Sequence, residues 1–145
     1  MIALACDHGA LDLKEAIKRH LDARGIEYKD FGCFDKSSCD YTDFAAPAAR
    51  AVASGECARG ILACTTGIGM SIAANKIHGI RCALVGDLLS ARLTREHNDT
   101  NMLALGAGVT GEMLALEIVD TWLDTPFSHN ERHQRRIDKI AALEK

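Results

Sequence analysis

Proline is scarce in this sequence, and long uncharged apolar runs are absent. Only 2 of the 145 residues are proline and there is no low-complexity tract, so we expect little disorder. The longest stretch without a charged residue, 60–75, contains Thr, Gly and Ser, whereas a membrane-spanning helix needs about 20 predominantly apolar residues. The N-terminus has neither the basic start nor the apolar length of a signal peptide. These absences predict a cytoplasmic protein without a membrane-spanning segment.

An excess of positive charge is also missing. Lys and Arg number 17 against 20 Asp and Glu, which gives a net charge of −3. The charge therefore argues against nucleic acid and membrane surfaces as partners, and any basic site must be local. With 48% hydrophobic residues the chain can bury a core, and its length fits one domain of residues 1–145.

No C-x-x-C pair occurs in the sequence, and several cysteines lie inside apolar runs that are typical of strands. We expect free thiols in a reducing compartment rather than a disulfide framework. The six cysteines are Cys6, Cys33, Cys39, Cys57, Cys64 and Cys82.

Short apolar runs alternate with amphipathic stretches from end to end, which indicates strands alternating with helices. Because parallel neighbours need crossovers, this order predicts an α/β fold, a Rossmann-like three-layer sandwich with a five-stranded parallel sheet. Pro47 is expected near the first turn of its helix, where proline is tolerated. The predicted strands are residues 2–6, 27–31, 60–63, 81–85 and 102–105, and the predicted helices are residues 11–21, 43–54, 68–76, 88–96, 111–123 and 129–143.

In such sheets ligands bind outside the carboxyl ends of the strands. The segment Cys64-Thr-Thr-Gly-Ile-Gly-Met-Ser71 runs from a strand end into a helix, and free N–H groups at a helix N-terminus attract phosphate, carboxylate or an enolate oxygen. Cys64 is a candidate reactive thiol there, because the helix end stabilises a thiolate. A tight turn with a buried structural cysteine fits the same residues, and Cys6, similarly placed, is expected in the core. The spacing matches no dinucleotide or nucleoside-triphosphate signature.

Three other polar groups each have a functional and a structural interpretation. Asp7-His8 fits an acid/base pair with a cation, or a helix cap. Residues 95–101 contain a titratable histidine, or form a helix C-cap and a loop. A basic cluster near the C-terminus fits phosphate, or an exposed helix face, and its members are His129, Arg132, His133, Arg135 and Arg136. Within it, Arg132 and Arg136 share one side of a helix and Arg135 points elsewhere.

Five strings stand out when these segments are combined: Asp7-His8-Gly9, Asp40-Tyr41, Cys64-x-Thr-Gly-Ile-Gly-x-Ser-Ile-Ala-Ala-Asn-Lys76, Arg95-Glu-His-Asn-Asp-Thr-Asn101 and Arg132-His-Gln-x-Arg136. In this order they resemble the type B ribose-5-phosphate isomerases, which share a superfamily with the galactose-6-phosphate isomerase subunits. The likeness covers essentially the whole chain.

The resemblance implies an aldose–ketose isomerase without metal or cofactor that works through an enediolate. Cys64 would move the proton between C1 and C2, Asp7 would assist proton transfer, and His97 would open the furanose ring. Thr66 and the backbone amides of residues 67–71 would hold the oxyanion. Tyr41 and Asn98 would bind sugar hydroxyls, and the phosphate would be bound by His8, Arg132 and Arg136. The implied substrate-binding residues are thus His8, Tyr41, Gly67, Ile68, Gly69, Met70, Ser71, Asn98, Arg132 and Arg136.

The resemblance also implies a homodimer or homotetramer whose active sites take residues from two subunits, so a monomer should not work. The expected reaction interconverts ribose 5-phosphate and ribulose 5-phosphate. An isomerase of another sugar or sugar phosphate, such as allose 6-phosphate, a tetrose phosphate or a free aldose, is an alternative. A non-catalytic anion-binding module on the same fold is another.

Two positions depart from the family pattern. Thr65 stands where the family usually has Gly directly after the catalytic Cys, and Gly108 stands where it tends to have an Arg that contacts phosphate. One phosphate ligand is therefore missing, and a charge-assisted hydrogen bond of this kind is worth ~1.5–3 kcal/mol. Both changes bear on which sugar is preferred, and neither touches Cys64 or His97.

Overall fold

The computed structural model describes residues 1–144 and is built on one parallel five-stranded sheet. The strand order is β2-β1-β3-β5-β4, so β1, β3 and β5 are interior strands and β2 and β4 form the edges. Every pairing is parallel, which confirms the predicted sheet. The strands are β1 (Ile2–Cys6), β2 (Tyr28–Asp30), β3 (Arg59–Cys64), β4 (Cys82–Leu84) and β5 (Met102–Gly106).

Helices connect the strands, and a single 3₁₀ turn, His8–Ala10, precedes the first of them. Within residues 1–144, no helix is long and apolar enough to cross a membrane. The helices are α1 (Leu11–Ala23), α2 (Thr42–Ala53), α3 (Ile68–Asn75), α4 (Leu88–Asn98), α5 (Glu112–Asp124) and α6 (Glu131–Ala141).

Two apolar cores lie on opposite faces of the sheet. One contains Leu4, Ile17 and Trp122 and packs the sheet against α1, α4 and α5. The other contains Ala5 and Met70 and packs the sheet against α2 and α3. The interior strands are buried on both faces, which explains why they are continuous apolar runs in the sequence. The predicted three-layer sandwich is confirmed.

Two helix predictions are wrong in detail. Helix α6 begins at Glu131 rather than at residue 129, because His129 has a φ of +58° and the side chain of Asn130 caps the helix by accepting the Arg132 N–H. Pro47 lies in the second turn of α2, since that helix already begins at Thr42. The ring removes one N–H donor from the helix there.

A buried cation anchors the loop between β2 and α2. Lys14 is 1% exposed, and its Nζ donates to Asp30 Oδ1 at 2.8 Å and to the carbonyl of Cys33. Burial alone would raise the pKa of Asp30, but hydrogen bonds, led by the one from Lys14, outweigh burial and lower that pKa. The ion pair thereby fixes the start of the loop that leads to Tyr41.

Candidate active site

The chain turns from β3 into α3 at the carboxyl edge of the sheet, between Cys64 and Ile68. Gly67 lies in the left-handed region, with a φ of +79°. A Cβ at this position would lie 2.5 Å from Leu84 Cδ1 and 2.9 Å from the backbone carbonyl carbon of Leu105. Conformation and space therefore both require glycine, and the turn places the first residues of α3 beside Cys64.

The Cys64 thiol is 5% exposed and faces the core shared with α2 and α3. Its Sγ accepts the N–H of Gly67 at 3.1 Å, which orients the sulfur toward the turn. The Ser71 N–H donates to the Gly67 carbonyl at 3.0 Å. The amides of Gly67 and Ser71 are thus already used within the chain.

Two other amides of this turn have no acceptor. The first N–H groups of a helix lack intrahelical partners. The Ile68 N–H donates to Thr66 Oγ1 at 3.3 Å, while those of Gly69 and Met70 have no hydrogen-bond partner within residues 1–144. Met70 contributes only its backbone, because its side chain is fully buried. The unpaired amides can bind an oxyanion next to Cys64.

Asp7 lies beside Cys64 at the end of the neighbouring strand. The register of β1 and β3 ends with Cys6 opposite Ala63, and the Asp7 N–H donates to the Ala63 carbonyl at 3.2 Å, so Asp7 and Cys64 are the next residues along two neighbouring strands. Ala5 points into the same core as Cys64, so alternation along the extended backbone turns Asp7 to that side as well. Asp7 is 8% exposed, and its Oδ1 accepts the Gly9 N–H at 2.9 Å, so it is also a helix cap.

His8 and Tyr41 complete this group. His8 Nδ1 accepts the N–H of Cys39 at 3.3 Å, so in the neutral ring Nε2 carries the proton. The Tyr41 ring covers the first turn of α3, since a Cβ on Gly69 would lie 2.8 Å from it. A cavity of about 350 Å³ opens beside His8. We call Asp7, His8, Tyr41 and residues 64–71 the loop cluster.

Cys6 differs from Cys64 although both end neighbouring strands. It is fully buried in the other core, and its Sγ lies 3.8 Å from that of Cys33. Burial raises the pKa of Cys6 to about 12, so this thiol stays protonated near neutral pH. The prediction of a core cysteine is confirmed.

His97 and Asn98 lie at the C-terminal end of α4, where α4 packs on α6. The rings of His97 and His133 lie 4.4 Å apart between centroids with their planes at 37°. His133 is 7% exposed, and its Nδ1 lies 2.6 Å from Ser128 Oγ. Burial and the neighbouring charges lower the pKa of His133, so the ring is neutral near pH 7.

Arg132 and Arg136 are exposed on α6 next to this histidine pair. No carboxylate lies within ion-pair distance of either guanidinium in residues 1–144. Their charges are therefore available to an anion from outside the chain. We call this group the helix cluster, and its members are His97, Asn98, Arg132, His133 and Arg136.

The loop cluster lies at the carboxyl ends of the strands, and the helix cluster lies at their amino ends. The carbonyl of Asn98 accepts the Nε–H of Arg81, which directly precedes β4, so Asn98 lies at the amino edge. Gly60 is level with Met102, at the start of β5, and Cys64 lies four residues further along β3. At ~3.3 Å per residue this is a separation of about 13 Å along the strands. One chain therefore does not bring the two clusters together.

Two contacts of this region could not be predicted from the sequence. The ring of His133 stacks on the ring of His97, and no local sequence pattern predicts that α4 packs on α6. Thr65 and Gly108 are 43 positions apart in the sequence, but the Gly108 N–H donates to the Thr65 carbonyl at 2.8 Å. The one sequence signal for this contact is that both residues depart from the family pattern and both follow strands of the predicted sheet. Within residues 1–144, no group of three His, Cys, Asp or Glu side chains is arranged to hold a metal ion.

Known proteins are similar to this chain over nearly its whole length. The ribose/galactose isomerase family matches residues 2–140. Ribose-5-phosphate isomerase B of Escherichia coli is 48% identical over 143 residues, which cover 99% of this chain and 95% of that protein. D-erythrulose-4-phosphate isomerase of Pectobacterium atrosepticum is 39% identical over 150 residues, covering 92% of this chain and 98% of that protein.

A solved structure shows the same fold. Ribose-5-phosphate isomerase B of Clostridium thermocellum superposes with a TM-score of 0.97 at 51% identity, covering 99% of this chain and 96% of that one. Sequence and structure therefore agree over nearly the full length of the relatives. The chain belongs to the ribose/galactose isomerase family and is a sugar-phosphate isomerase.

Proposed function

We propose that the protein interconverts ribose 5-phosphate and ribulose 5-phosphate by proton transfer at Cys64. The observation that carries the proposal is the loop cluster, in which one thiol, one carboxylate and two unpaired amides meet at a strand end. An aldose–ketose isomerase needs a base at the C1–C2 bond and donors for the oxygen that becomes negative. The ribose-5-phosphate isomerase B of E. coli, at 48% identity, supports this choice of substrate.

In the proposed reaction, the Cys64 thiolate removes the proton from C2 of the open-chain aldose. The electron pair moves into the C1–C2 bond, and the carbonyl oxygen at C1 becomes an enediolate oxygen held by the amides of Gly69 and Met70. Asp7 carries the hydroxyl proton from O2 to O1, while Thr66 lies with the amides that hold the oxyanion. Cys64 then returns its proton to C1, which yields the ketose.

Ring opening and phosphate binding fall to the helix cluster in this proposal. His97 transfers a proton from the anomeric hydroxyl to the ring oxygen, so that the furanose opens before the C1–C2 step. Asn98 binds a sugar hydroxyl, and Arg132 and Arg136 bind the phosphate together with His8. Because the two clusters of one chain lie at opposite ends of the strands, a second copy of the chain supplies the helix cluster to each loop cluster.

Exposed apolar side chains next to the loop cluster support a second copy as the occupant of this surface. Ile68, Leu84 and Val109 are 49%, 45% and 74% exposed, and they line an apolar hollow of about 250 Å³ beside Thr66. Contiguous exposed apolar surface of this kind marks association sites. The assembly is a homodimer, or a homotetramer built from such dimers, and the six free cysteines fit a cytoplasmic enzyme.

The activity is tested with purified protein and a panel of phosphorylated and free aldoses, without added metal or nucleotide. The expected result is the highest kcat/KM with ribose 5-phosphate. A tetrose phosphate is the second candidate, because no cation follows β5 at Gly108 and because the P. atrosepticum relative is named for erythrulose 4-phosphate. A higher kcat/KM with the tetrose phosphate would replace the first candidate by the second.

The shared site is tested with heterodimers isolated through two different tags. A dimer of one Cys64→Ala chain and one His97→Asn chain has one site with both residues intact, so we expect about half the wild-type activity per dimer. The matched control combines a wild-type chain with a Cys64→Ala/His97→Asn chain, which damages both shared sites and should be nearly inactive. If each site lay within a single chain, the two results would be exchanged.

A further inference from the structure

Thr65 lies between Cys64 and Thr66, yet its side chain points away from α3 and toward two other loops. It is exposed at the carboxyl edge of the sheet, and its hydroxyl makes no hydrogen bond within residues 1–144. Thr65 atoms are the nearest neighbours of a Cβ built on Gly9, in the turn after β1, and on Gly108, in the turn after β5. Thr65 therefore fills space between the segments that follow three neighbouring strands.

The contact with the turn after β1 is made by the hydroxyl. A Cβ built on Gly9 would lie 2.4 Å from Thr65 Oγ1, well inside van der Waals contact. Gly9 directly follows His8, which the proposed function places on the phosphate. The Thr65 hydroxyl thus borders the route from Cys64 to the phosphate-binding histidine.

The contact with the turn after β5 is made by the methyl group and the backbone. A Cβ built on Gly108 would lie 3.0 Å from Thr65 Cγ2 and 3.1 Å from the Thr65 carbonyl oxygen. The Gly108 N–H donates to that oxygen, so the two backbones are held together. A larger residue at position 108 needs Thr65 to move or to be smaller.

We propose that Thr65 is a specificity-determining residue, whose side chain occupies the space between Gly9 and Gly108 and thereby limits the length of the sugar phosphate that reaches Cys64. The inference rests on the proposed function. With C1 and C2 held at Cys64 and the phosphate at His8, the carbons between them pass over Thr65. A longer sugar must fold its extra carbon into the space that this side chain occupies.

The test compares kcat/KM for a six-carbon aldose 6-phosphate with that for ribose 5-phosphate in the full-length enzyme. Thr65→Gly empties the space beside Gly9 and Gly108 and should raise this ratio about tenfold, the scale of one methylene in a tight pocket. Thr65→Val is the matched control, because it keeps the shape and removes only the hydroxyl, so the ratio should stay at the wild-type value. An unchanged ratio in an active Thr65→Gly enzyme would overturn the inference, as would an equal rise in Thr65→Val.

Two further measurements keep the test decisive. If Thr65→Gly does not fold, Thr65→Ala replaces it with the same expected direction. Gly9→Ala should lower the melting temperature in the wild-type background and much less in the Thr65→Ala background, whereas equal losses would refute the contact. Inactivity of the unaltered enzyme on every sugar phosphate would instead overturn the proposed function, and the inference with it.

Discussion

The loop cluster and the helix cluster differ in how they are held. In the loop cluster the donors are backbone amides, and Cys64 and Asp7 are buried side chains oriented by neighbouring N–H groups. In the helix cluster the functional groups are side chains of α4 and α6, and the two arginines are exposed and have no carboxylate partner within residues 1–144. Groups that make the chemical step need fixed geometry, whereas groups that capture an anion need charge and reach. Variants of Cys64 should therefore change mainly kcat, and variants of the exposed arginines should change mainly KM.

The largest expected effect separates the two strand-end cysteines. Cys64→Ala should lower kcat by about 10²–10⁴, because the general base is removed while the amides that bind the sugar remain. Cys6→Ala should keep most of the activity and lower the melting temperature, because Cys6 is a core residue. Steady-state kinetics and thermal unfolding measure both. If Cys64→Ala turned over ribose 5-phosphate at the wild-type rate, Cys64 would not be the base in the proton transfer.

The second effect distinguishes the clusters by reaction step. His97→Asn should lower kcat/KM for ribose 5-phosphate, which is largely a closed ring, by about 10²-fold. A tetrose 4-phosphate cannot close a furanose through its phosphorylated oxygen, so its kcat/KM should change little. The ratio of the two losses is the measurement. Equal losses on both substrates would place His97 in the C1–C2 step, and the two clusters would then no longer act in separate steps.

A smaller effect concerns phosphate binding by α6. Arg136→Ala should raise KM for phosphorylated aldoses about tenfold or more, since a charge-assisted hydrogen bond is worth ~1.5–3 kcal/mol. Little change in kcat is expected if the contact is the same in the ground and transition states. Arg135→Ala is the matched control, because Arg135 is also exposed on α6 but lies on another side of the helix. Equal KM values in both variants would contradict a specific phosphate site.

The smallest effect is a titration. Burial and then the charges of His97, Arg132 and Arg136 lower the pKa of His133, so its imidazole signals should titrate below the ordinary value near 6.5. In Arg136→Ala the midpoint should move up toward that value. Because folding lowers this pKa, the group contributes stability above pH 6.5 and loses it as pH falls through the folded value. NMR of the ring protons measures the shift. An unchanged midpoint in Arg136→Ala would show that the charge of Arg136 does not lower the pKa of His133.

Local patterns explain why the loop cluster could be predicted and the helix cluster only in part. The turn from Cys64 into α3 is one continuous segment, and Asp7 follows the adjacent strand, so strand-end reasoning alone places them together. His97 and His133 are 36 residues apart in sequence and meet only because α4 packs on α6. The contact of Thr65 with Gly9 and Gly108 depends on strand order, which alternation of strands and helices does not specify.

The strand order β2-β1-β3-β5-β4 also has a consequence for how the chain folds during synthesis. β4 is made before β5, yet it pairs only with β5, which lies between β3 and β4. Until residues 102–106 leave the ribosome, β4 has no strand partner and β3 keeps one edge open. Pairing across such sequence distances is slow to form. The sheet that carries Cys64 is therefore completed late, and a nascent chain ending before β5 exposes one edge of β3 and both edges of β4 to aggregation or to chaperones.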